Sequence, residues 1–218
     1  MGNCLVTKLN GVVNNPNLDY LNYVKVHATL TTGYSSTNPA ITLNTGEPSK
    51  VRVFSGDVTL RTTSTEVYVD GTAGTDFVLL IPRYTTTSIQ FQNIRITWEF
   101  NDIKTIYGIT SLVKGGNTAC KFTNFTVDNL KEMKSLTQLA ILEGGITSDI
   151  ARFAEMPALT LLVLNYCAQV TGDLAGIKNM PNLQTLTLNP TVVTDNDNTV
   201  AYLQGKGVTV TYSTYTPA

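Results

Sequence analysis

The chain has few charged side chains, and the two signs are balanced. Only 14% of its 218 residues are Asp, Glu, Lys or Arg, against the roughly 25% usual in soluble proteins. The 15 Lys and Arg residues against 16 Asp and Glu residues give a formal charge of -1. A nucleic-acid-binding protein needs a basic face that this composition does not supply, so we expect no nucleic-acid partner.

Histidine and cysteine are also scarce. His27 is the only histidine, so a Ser-His-Asp or Cys-His arrangement would have to use it, and a histidine-based metal site is excluded. Cys4, Cys120 and Cys167 are widely spaced and form no C-x-x-C pair, so we expect buried, reduced thiols. No G-x-G-x-x-G or G-x-x-x-x-G-K-[ST] motif occurs, and we expect no cofactor.

Long apolar runs are missing as well. No run approaches the roughly 18 residues of a membrane span, and the first residues lack the basic and apolar regions of a secretory signal. We therefore expect a protein made in a cytoplasm, without membrane insertion. Its 42% hydrophobic content still fills a core, and about 35 threonines favour strands and turns.

Two acidic patterns could carry chemistry. Asp149 and Asp173 occupy equivalent positions in a repeat described below, and side chains at such turn positions usually cap backbone amides. The segment Asp195 to Asn198 resembles the start of a calcium loop, but Lys206 stands where the bidentate Glu belongs. We expect capping at Asp149 and Asp173, and helix capping by Asp197 or Asn198.

Residues 41 to 100 alternate apolar and polar side chains with the period of a half-buried strand. The longest such run extends from Ile89 to Phe100, with a change of parity that predicts a β-bulge near Gln92 and Asn93. Turn-forming clusters separate these runs. This pattern predicts an antiparallel β sandwich or barrel-like domain over residues 1–101.

The second half of the chain contains an internal repeat. The segments Met133 to Ile141, Met156 to Leu164 and Met180 to Leu188 align with spacings of 23 and 24 residues. Between them, Ile146 to Ile150 matches Val170 to Leu174, and a degenerate copy precedes them at Phe125 to Asp128. Each copy therefore predicts one short strand followed by a turn and a return segment.

These residues resemble the leucine-rich repeat family, whose core reads L-x-x-L-x-L-x-x-N/C-x-L. Leu159, Leu162, Leu164 and Cys167 fit this core directly, and the resemblance covers residues 125 to 212. It implies that Leu139, Leu162 and Leu186 stack in one buried row. The expected fold is mainly β with a small α/β part: the antiparallel domain, then a short leucine-rich-repeat solenoid with end caps over residues 102–218.

A second resemblance concerns the whole architecture. The opening segment from Cys4 to Leu18, followed by β strands and a few leucine-rich repeats, resembles virion-associated proteins of phages that infect gut Bacteroidetes, including crAss-like phages. The resemblance implies a protein displayed on the particle, with its N-terminal part as anchor. Leu5, Val6 and Leu9 lie in a neutral, strand-prone segment suited to pairing with another sheet edge.

The repeat strands also predict a candidate interaction surface, formed by the residues that face away from the leucines. Among them, Leu142, Leu161 and Val163 form an apolar patch where a solvated sheet would be polar. Either the β domain of the same chain, a partner chain or a second subunit could cover this patch. The candidate contact residues are Leu142, Leu161, Val163, Asn165, Thr185, Thr187, Leu5, Val6 and Leu9.

The sequence thus predicts a non-enzymatic virion structural protein, as a head fibre, a decoration protein or a tail-associated protein. It would dock through its N-terminal module and display the repeats for protein or host-surface binding, with other virion proteins and a second copy of itself as partners. The alternative is a bacterial surface module that binds glycan or protein. A β-rich hydrolase is disfavoured because no titratable residues cluster in the sequence.

Overall fold

The computed structural model describes residues 7–9, 12–14, 22–30, 41–54, 58–71, 74, 76–91, 96–115 and 121–215, and it is mainly β. The helices are α1 (Phe100–Ile103), α2 (Val127–Leu130) and α3 (Thr199–Gly205), and 3₁₀ turns cover Pro48–Lys50, Ile150–Glu155 and Leu174–Ile177. The strands are β1 (Thr7–Leu9), β2 (Val12–Asn14), β3 (Tyr23–Leu30), β4 (Ile41–Thr45), β5 (Arg52–Phe54), β6 (Val58–Thr62), β7 (Glu66–Gly71), β8 (Asp76–Pro82), β9 (Thr86–Phe91), β10 (Ile96–Glu99), β11 (Ser111–Lys114), β12 (Lys121–Thr123), β13 (Gln138–Leu142), β14 (Ser148–Asp149), β15 (Leu161–Asn165), β16 (Val170–Thr171), β17 (Thr185–Thr191) and β18 (Thr209–Thr214).

One large sheet organises the molecule, in the strand order β18-β17-β15-β13-β11-β9-β4-β7-β6. Pairing is parallel from β9 to β18 and antiparallel from β9 through β4 and β7 to β6. The parallel strands are in register, so that equivalent apolar side chains lie side by side on one face. This leucine row consists of Ile89, Leu112, Leu139, Leu162 and Leu186, all of them buried.

Hydroxyl groups link the parallel strands just before they begin. The side-chain oxygens of Thr110, Thr137 and Thr160 each donate to the backbone carbonyl of the preceding threonine, at 3.1 Å in every case. The acceptor for Thr110 is Thr87, which completes what we call the threonine ladder. Backbone bonds run in parallel with it, as from Thr160 N to Thr137 O at 2.7 Å. The ladder therefore fixes the register between successive turns of the chain.

Short helical segments carry the chain back on the inner side of the sheet. Asp149 accepts from the Ala151 amide at 2.8 Å and Asp173 from the Ala175 amide at 2.9 Å, which confirms the predicted capping. The equivalent cap before α2 is Thr126, which accepts from the Asn129 amide, rather than Asp128. Each return segment then buries one methionine of the repeat, and these are Met133, Met156 and Met180.

The N-terminal capping of α3 differs from the sequence-based expectation. The carboxylate of Asp195 accepts from the amides of Thr199 and Val200 at the start of α3. Asn198 occupies the N-cap position with φ of 55° and makes no side-chain capping bond. The predicted capping by Asp197 or Asn198 is thus wrong, because the chain turns through a left-handed residue and the earlier Asp195 side chain reaches the free amides.

A second sheet, ordered β12-β10-β3-β8-β5, packs on the inner side of the large sheet. Val24, Val26, Leu79 and Ile81 join one hydrophobic core with the inward residues of β4, β7 and β9. Phe122 on β12 meets Phe91 on β9 edge to face, with ring centroids 4.7 Å apart. The second sheet therefore covers the part of the large sheet that the return segments leave open.

The predicted strand from Ile89 to Phe100 is wrong as one element. β9 ends at Phe91 in the large sheet, whereas β10 belongs to the second sheet and Phe100 begins α1. The chain changes sheets here, and alternation of side chains cannot show which sheet a strand joins. The predicted bulge at Gln92 and Asn93 lies outside the described residues.

The predicted division at residue 101 stays a prediction. β9 comes from the first part and β11 from the second, yet they pair as neighbours, with Ile89 opposite Leu112. Strands from both parts therefore belong to one sheet and contribute to one core.

The leucine row leads to a stability prediction. Leu162→Ala should lower the free energy of unfolding by about 2–5 kcal/mol, because the side chain is fully buried and its removal leaves a cavity. Urea denaturation of the variant and the unmodified protein measures the difference. The control is Val163→Ala on the opposite face of the same strand, which should cost less than about 1 kcal/mol. Equal losses in both variants would contradict the assignment of the inner face as the core.

Candidate interaction surface

The candidate site is the face of the parallel strands that points away from the core, here called the outward face. Exposure alternates along β13, β15 and β17, with Leu139, Leu162 and Leu186 buried between more accessible neighbours, as the period of two predicts. The residues of the outward face that pair across the strands are Ser111, Val113, Gln138, Ala140, Leu142, Leu161, Val163, Asn165, Thr185, Thr187, Thr209 and Thr211. Asn189 and Ser213 continue the outward face next to the register shift between β17 and β18.

The three predicted apolar residues lie together at the centre of this face. Leu161 and Val163 follow each other on the outward side of β15, and Leu142 pairs with Asn165, diagonal to Val163. All three are half-buried. Val163 lies between Ala140 and Thr187, so that small and hydroxyl side chains surround the apolar centre. Their role in binding stays a prediction.

The polar residues of the site divide into two kinds. The side-chain oxygen of Asn165 accepts from the Asn189 amide at 3.1 Å, and Ser213 donates to the side-chain oxygen of Asn189. These bonds connect β15, β17 and β18 near their C-terminal ends, so Asn165 contributes to the structure of the face. Thr185 and Thr187 pair with Thr209 and Thr211, which forms a compact square of hydroxyl-bearing side chains.

The N-terminal candidates are not brought to this face by any described contact. Leu5 and Val6 lie outside the described residues. Leu9 belongs to β1, which pairs antiparallel with β2 in a separate two-stranded sheet, with Leu9 opposite Val12. The part of the chain described here thus gives β1 a partner within its own hairpin, where the sequence predicted pairing with another sheet edge.

The structure shows where the second sheet lies relative to the apolar patch. The second sheet packs on the inner side of the large sheet, where Val26 and Leu79 share the core with Ile41 and Leu43. It cannot also cover the opposite side. The second sheet therefore does not cover the apolar patch, and cover by another part of residues 1–101, by a partner chain or by a second subunit stays a prediction.

Charge is distributed very unevenly between the two sides of the parallel strands. Every residue of the outward face is uncharged, and the same is true of the outward residues Thr42, Asn44, Ser88 and Gln90 on β4 and β9. Charged groups first appear on this side at β7 and β6, where Arg61 stacks over the Tyr68 ring at 4.8 Å.

The opposite side, formed by the return segments and here called the return side, carries a network of ion pairs. This network joins α2 to the 3₁₀ turn at Ile150–Glu155. Arg152 contacts Asp128 at 2.7 Å and Glu155 at 2.8 Å, while Lys131 contacts the same two carboxylates, each at 2.8 Å. Hydrogen bonds from Arg152 first, and then from Lys131, lower the pKa of both Asp128 and Glu155 to about 2. The network joins two successive repeats on the side away from the candidate site.

Other candidate chemistry is sparse among the described residues. The His27 side chain is exposed on β3, and its backbone amide donates to an Asp102 carboxylate oxygen at 3.4 Å. Cys167 is buried, as predicted, and burial raises the pKa of its thiol. Cys4 and Cys120 lie outside the described residues. No group of three or more His, Cys, Asp or Glu residues in the described part could hold a metal ion. No helix in that part is long and apolar enough to cross a membrane.

Sequence reasoning missed two turns of the repeat. β9 and β11 extend the parallel stack upstream, so that Gln90 and Val113 continue the outward face beyond the predicted residues. The signal was a threonine two residues before the first core residue, as in Thr87 before Ile89 and Thr110 before Leu112. The same spacing recurs at Thr137 and Thr160, where the leucines had already marked the repeat.

No family model matches the chain, and no curated protein matches it. Among solved structures, it is similar to the leucine-rich-repeat ectodomain of the receptor kinase SOBIR1 from Arabidopsis thaliana, with 14% identity over 76% of this chain and 83% of that chain, and a TM-score of 0.43. It is also similar to a chain of the BIR3–SERK2 complex from Arabidopsis thaliana, with 13% identity over 60% and 70% of the two chains and a TM-score of 0.40.

A third similar structure is an internalin, inlF, from Listeria monocytogenes, with 20% identity over 59% of this chain and 39% of that chain, and a TM-score of 0.34. Identities and TM-scores this low carry no argument about partners or activity. The function has to come from the contacts of this chain.

The ion-pair network leads to a prediction about pH. Because the pKa values of Asp128 and Glu155 fall from 3.8 and 4.5 to about 2 on folding, the network stabilises the folded state above those ordinary values and is lost as the pH falls towards about 2. Arg152→Gln should raise both pKa values towards their ordinary range, as measured by NMR titration of the carboxyl carbons. Salt at about 1 M should shift them in the same direction in the unmodified protein. Ordinary pKa values in the unmodified protein at low salt would show that the network does not form in solution.

Proposed function

We propose that the chain is a non-enzymatic binding protein that contacts a protein partner through the outward face. The observation that carries the proposal is the composition of that face: half-buried Leu142, Leu161 and Val163 at the centre, hydroxyl and amide groups around them, and no charge. Centres of protein interfaces are depleted of charged residues, because a charge buried without a partner is costly.

The geometry also suits rigid recognition. The outward side chains are held by strands whose register is fixed by the threonine ladder and the leucine row, so a partner meets a preformed surface. Few side chains at the centre are long, and short side chains such as Thr187, Ala140 and Val163 lose little rotational freedom on binding. Binding here therefore needs little reorganisation of the chain.

We place this binding protein on a phage particle, as a head fibre, a decoration protein or a tail-associated protein. The support is the resemblance of the opening segment and of the order of modules, an antiparallel β sandwich followed by a short solenoid. In this proposal the N-terminal module docks to other virion proteins, the outward face binds a neighbouring subunit or a host-surface protein, and the protein assembles in the bacterial cytoplasm before it joins the virion.

The second candidate is a bacterial surface module that binds glycan or protein. The exposed tyrosines favour it, since Tyr84, Tyr107 and Tyr166 each leave more than half of their surface accessible. Tyrosine offers an apolar ring and a hydroxyl together, which suits recognition of a partially wet surface. Antibody labelling of purified phage particles separates the two candidates. Label on bacterial cells with none on the particles would contradict the virion placement.

The outward face itself is tested by a charge substitution. Val163→Asp should abolish binding of the partner that the face contacts, because it introduces a carboxylate at the uncharged centre. The free energy of unfolding should fall by about 1–2 kcal/mol, since Val163 is half-buried and Asp is a poor strand former. Val192→Asp is the matched control, since Val192 is an exposed valine beyond the paired part of the sheet. Incorporation into particles, or the oligomeric mass in solution, provides the measurement. Normal incorporation and unchanged mass for Val163→Asp would contradict the proposal.

A further inference from the structure

A cleft opens at one end of the two sheets, away from the outward face. β3 begins at this cleft, β8 ends at it, and the 3₁₀ turn Pro48–Lys50 closes one side. Its volume is about 510 Å³, which lies within the range of roughly 300–1,000 Å³ found for ligand pockets. The polar and aromatic side chains that line it are Asn22, Tyr23, Glu47, Lys50, Tyr84 and Thr85.

The polar groups of the cleft are arranged in advance. Glu47 forms an ion pair with Lys50 one turn later and accepts from the Thr85 hydroxyl at 3.2 Å. The Thr85 hydroxyl in turn lies 3.3 Å from that of Thr45, and the Glu47 amide donates to Thr45 Oγ1 at 3.2 Å. The bond with Lys50 lowers the pKa of Glu47, so the carboxylate is ionised at neutral pH. An acceptor and a donor thus stand side by side, and their charges cancel.

An aromatic platform adjoins these groups. The Tyr84 ring is 59% exposed, and its centroid lies 5.8 Å from that of Tyr107, which is 53% exposed. The Arg83 guanidinium lies over the Tyr107 ring at 5.3 Å, and the Gly108 amide donates to the Arg83 carbonyl at 3.2 Å. The backbone at Gly108 approaches so closely that an added Cβ would lie 2.5 Å from the Tyr84 carbonyl oxygen. The backbone that carries the two exposed rings is therefore closely packed, and the rings contact each other and the Arg83 guanidinium.

We propose that this cleft is a binding site for a neutral saccharide. A sugar ring has an apolar face of C–H groups, which packs against the Tyr84 ring, and hydroxyl groups that both donate and accept hydrogen bonds. Glu47 accepts from such hydroxyls, and Lys50 and Asn22 donate to them. The balanced ion pair disfavours charged ligands, since an anion would have to compete with Glu47 for Lys50 and a cation with Lys50 for Glu47.

The inference is independent of the outward face and adds a ligand class to the proposed function. The two surfaces share no residue: the cleft is formed by the start of β3, the turn after β4 and the segment from the end of β8 to the start of β9, whereas the proposed contact residues lie on β13, β15 and β17. A substitution at one surface should therefore leave the other intact.

Saturation-transfer NMR on the full chain tests the site. The panel consists of glucose, galactose, mannose, N-acetylglucosamine, lactose and maltose at about 10 mM, with N-acetylneuraminic acid as the charged comparison. At least one neutral sugar should bind, and Tyr84→Ala and Glu47→Gln should each weaken its affinity about tenfold or more. Tyr166→Ala is the matched control, because Tyr166 is 57% exposed and lies in the repeats. It should leave the affinity unchanged.

The outcomes are distinct for the two surfaces. The saccharide site is overturned if no neutral sugar on the panel binds, if the charged sugar binds more tightly than the neutral ones, or if neither Tyr84→Ala nor Glu47→Gln weakens binding. Val163→Asp should bind the sugar with unchanged affinity. A protein that loses its partner through Val163→Asp but binds no sugar keeps the proposed function without this site. Thermal melting of each variant confirms that the substituted proteins are folded.

Discussion

The register of the parallel strands is the constraint on which the rest of the molecule depends. Side chains alternate between the two faces of a strand, so a slip of one residue would move the leucine row to the outward face and expose it. Two independent features oppose such a slip. Burial of Leu139, Leu162 and Leu186 stabilises the alignment that brings them together on the inner face. The hydrogen bonds of the threonine ladder join each strand to the previous one at equivalent threonines. The uncharged outward face exists only because this alignment holds.

The sequence predicted the repeat where leucine marked it and failed where other residues took the inward positions. In β11 the second inward position is Lys114, which is buried and donates to the Leu142 carbonyl at 3.0 Å. In a hydrophobic pattern, a lysine is interpreted as an exposed residue. The spacing from Thr110 to Thr137 is also several residues longer than that of the other repeats, so the repeat is harder to detect there. Gly145 makes room for this lysine, since an added Cβ would lie 2.9 Å from Lys114 Cε. Such a pairing depends on contacts between turns of the chain, which a single-sequence pattern does not contain.

The two candidate surfaces differ in how far the sequence could predict them. The outward residues follow from the period of two along strands that the leucines had already located, so Leu161, Val163 and Thr187 could be named in advance. What covers them could not, because that depends on the side of the large sheet on which the second sheet packs. The cleft could not be predicted for a different reason. Its lining residues Tyr23, Glu47 and Tyr84 are far apart in the sequence and come together only when β3, β4 and β8 pack in the folded protein.

The separation of charge between the two sides connects stability with binding. Arg152 and Lys131 bind carboxylates from successive repeats on the return side, so the polar groups that keep this part of the chain hydrated also help to hold the turns together. Exposed ion pairs are individually weak, but a closed set of four groups restrains both carboxylates at once. Because these charged groups interact with water on the return side, the outward face needs no charged groups to keep this part of the chain hydrated. A partner that covers Leu161 and Val163 then has no buried ion to desolvate, and the rigid strands beneath need not move when it binds.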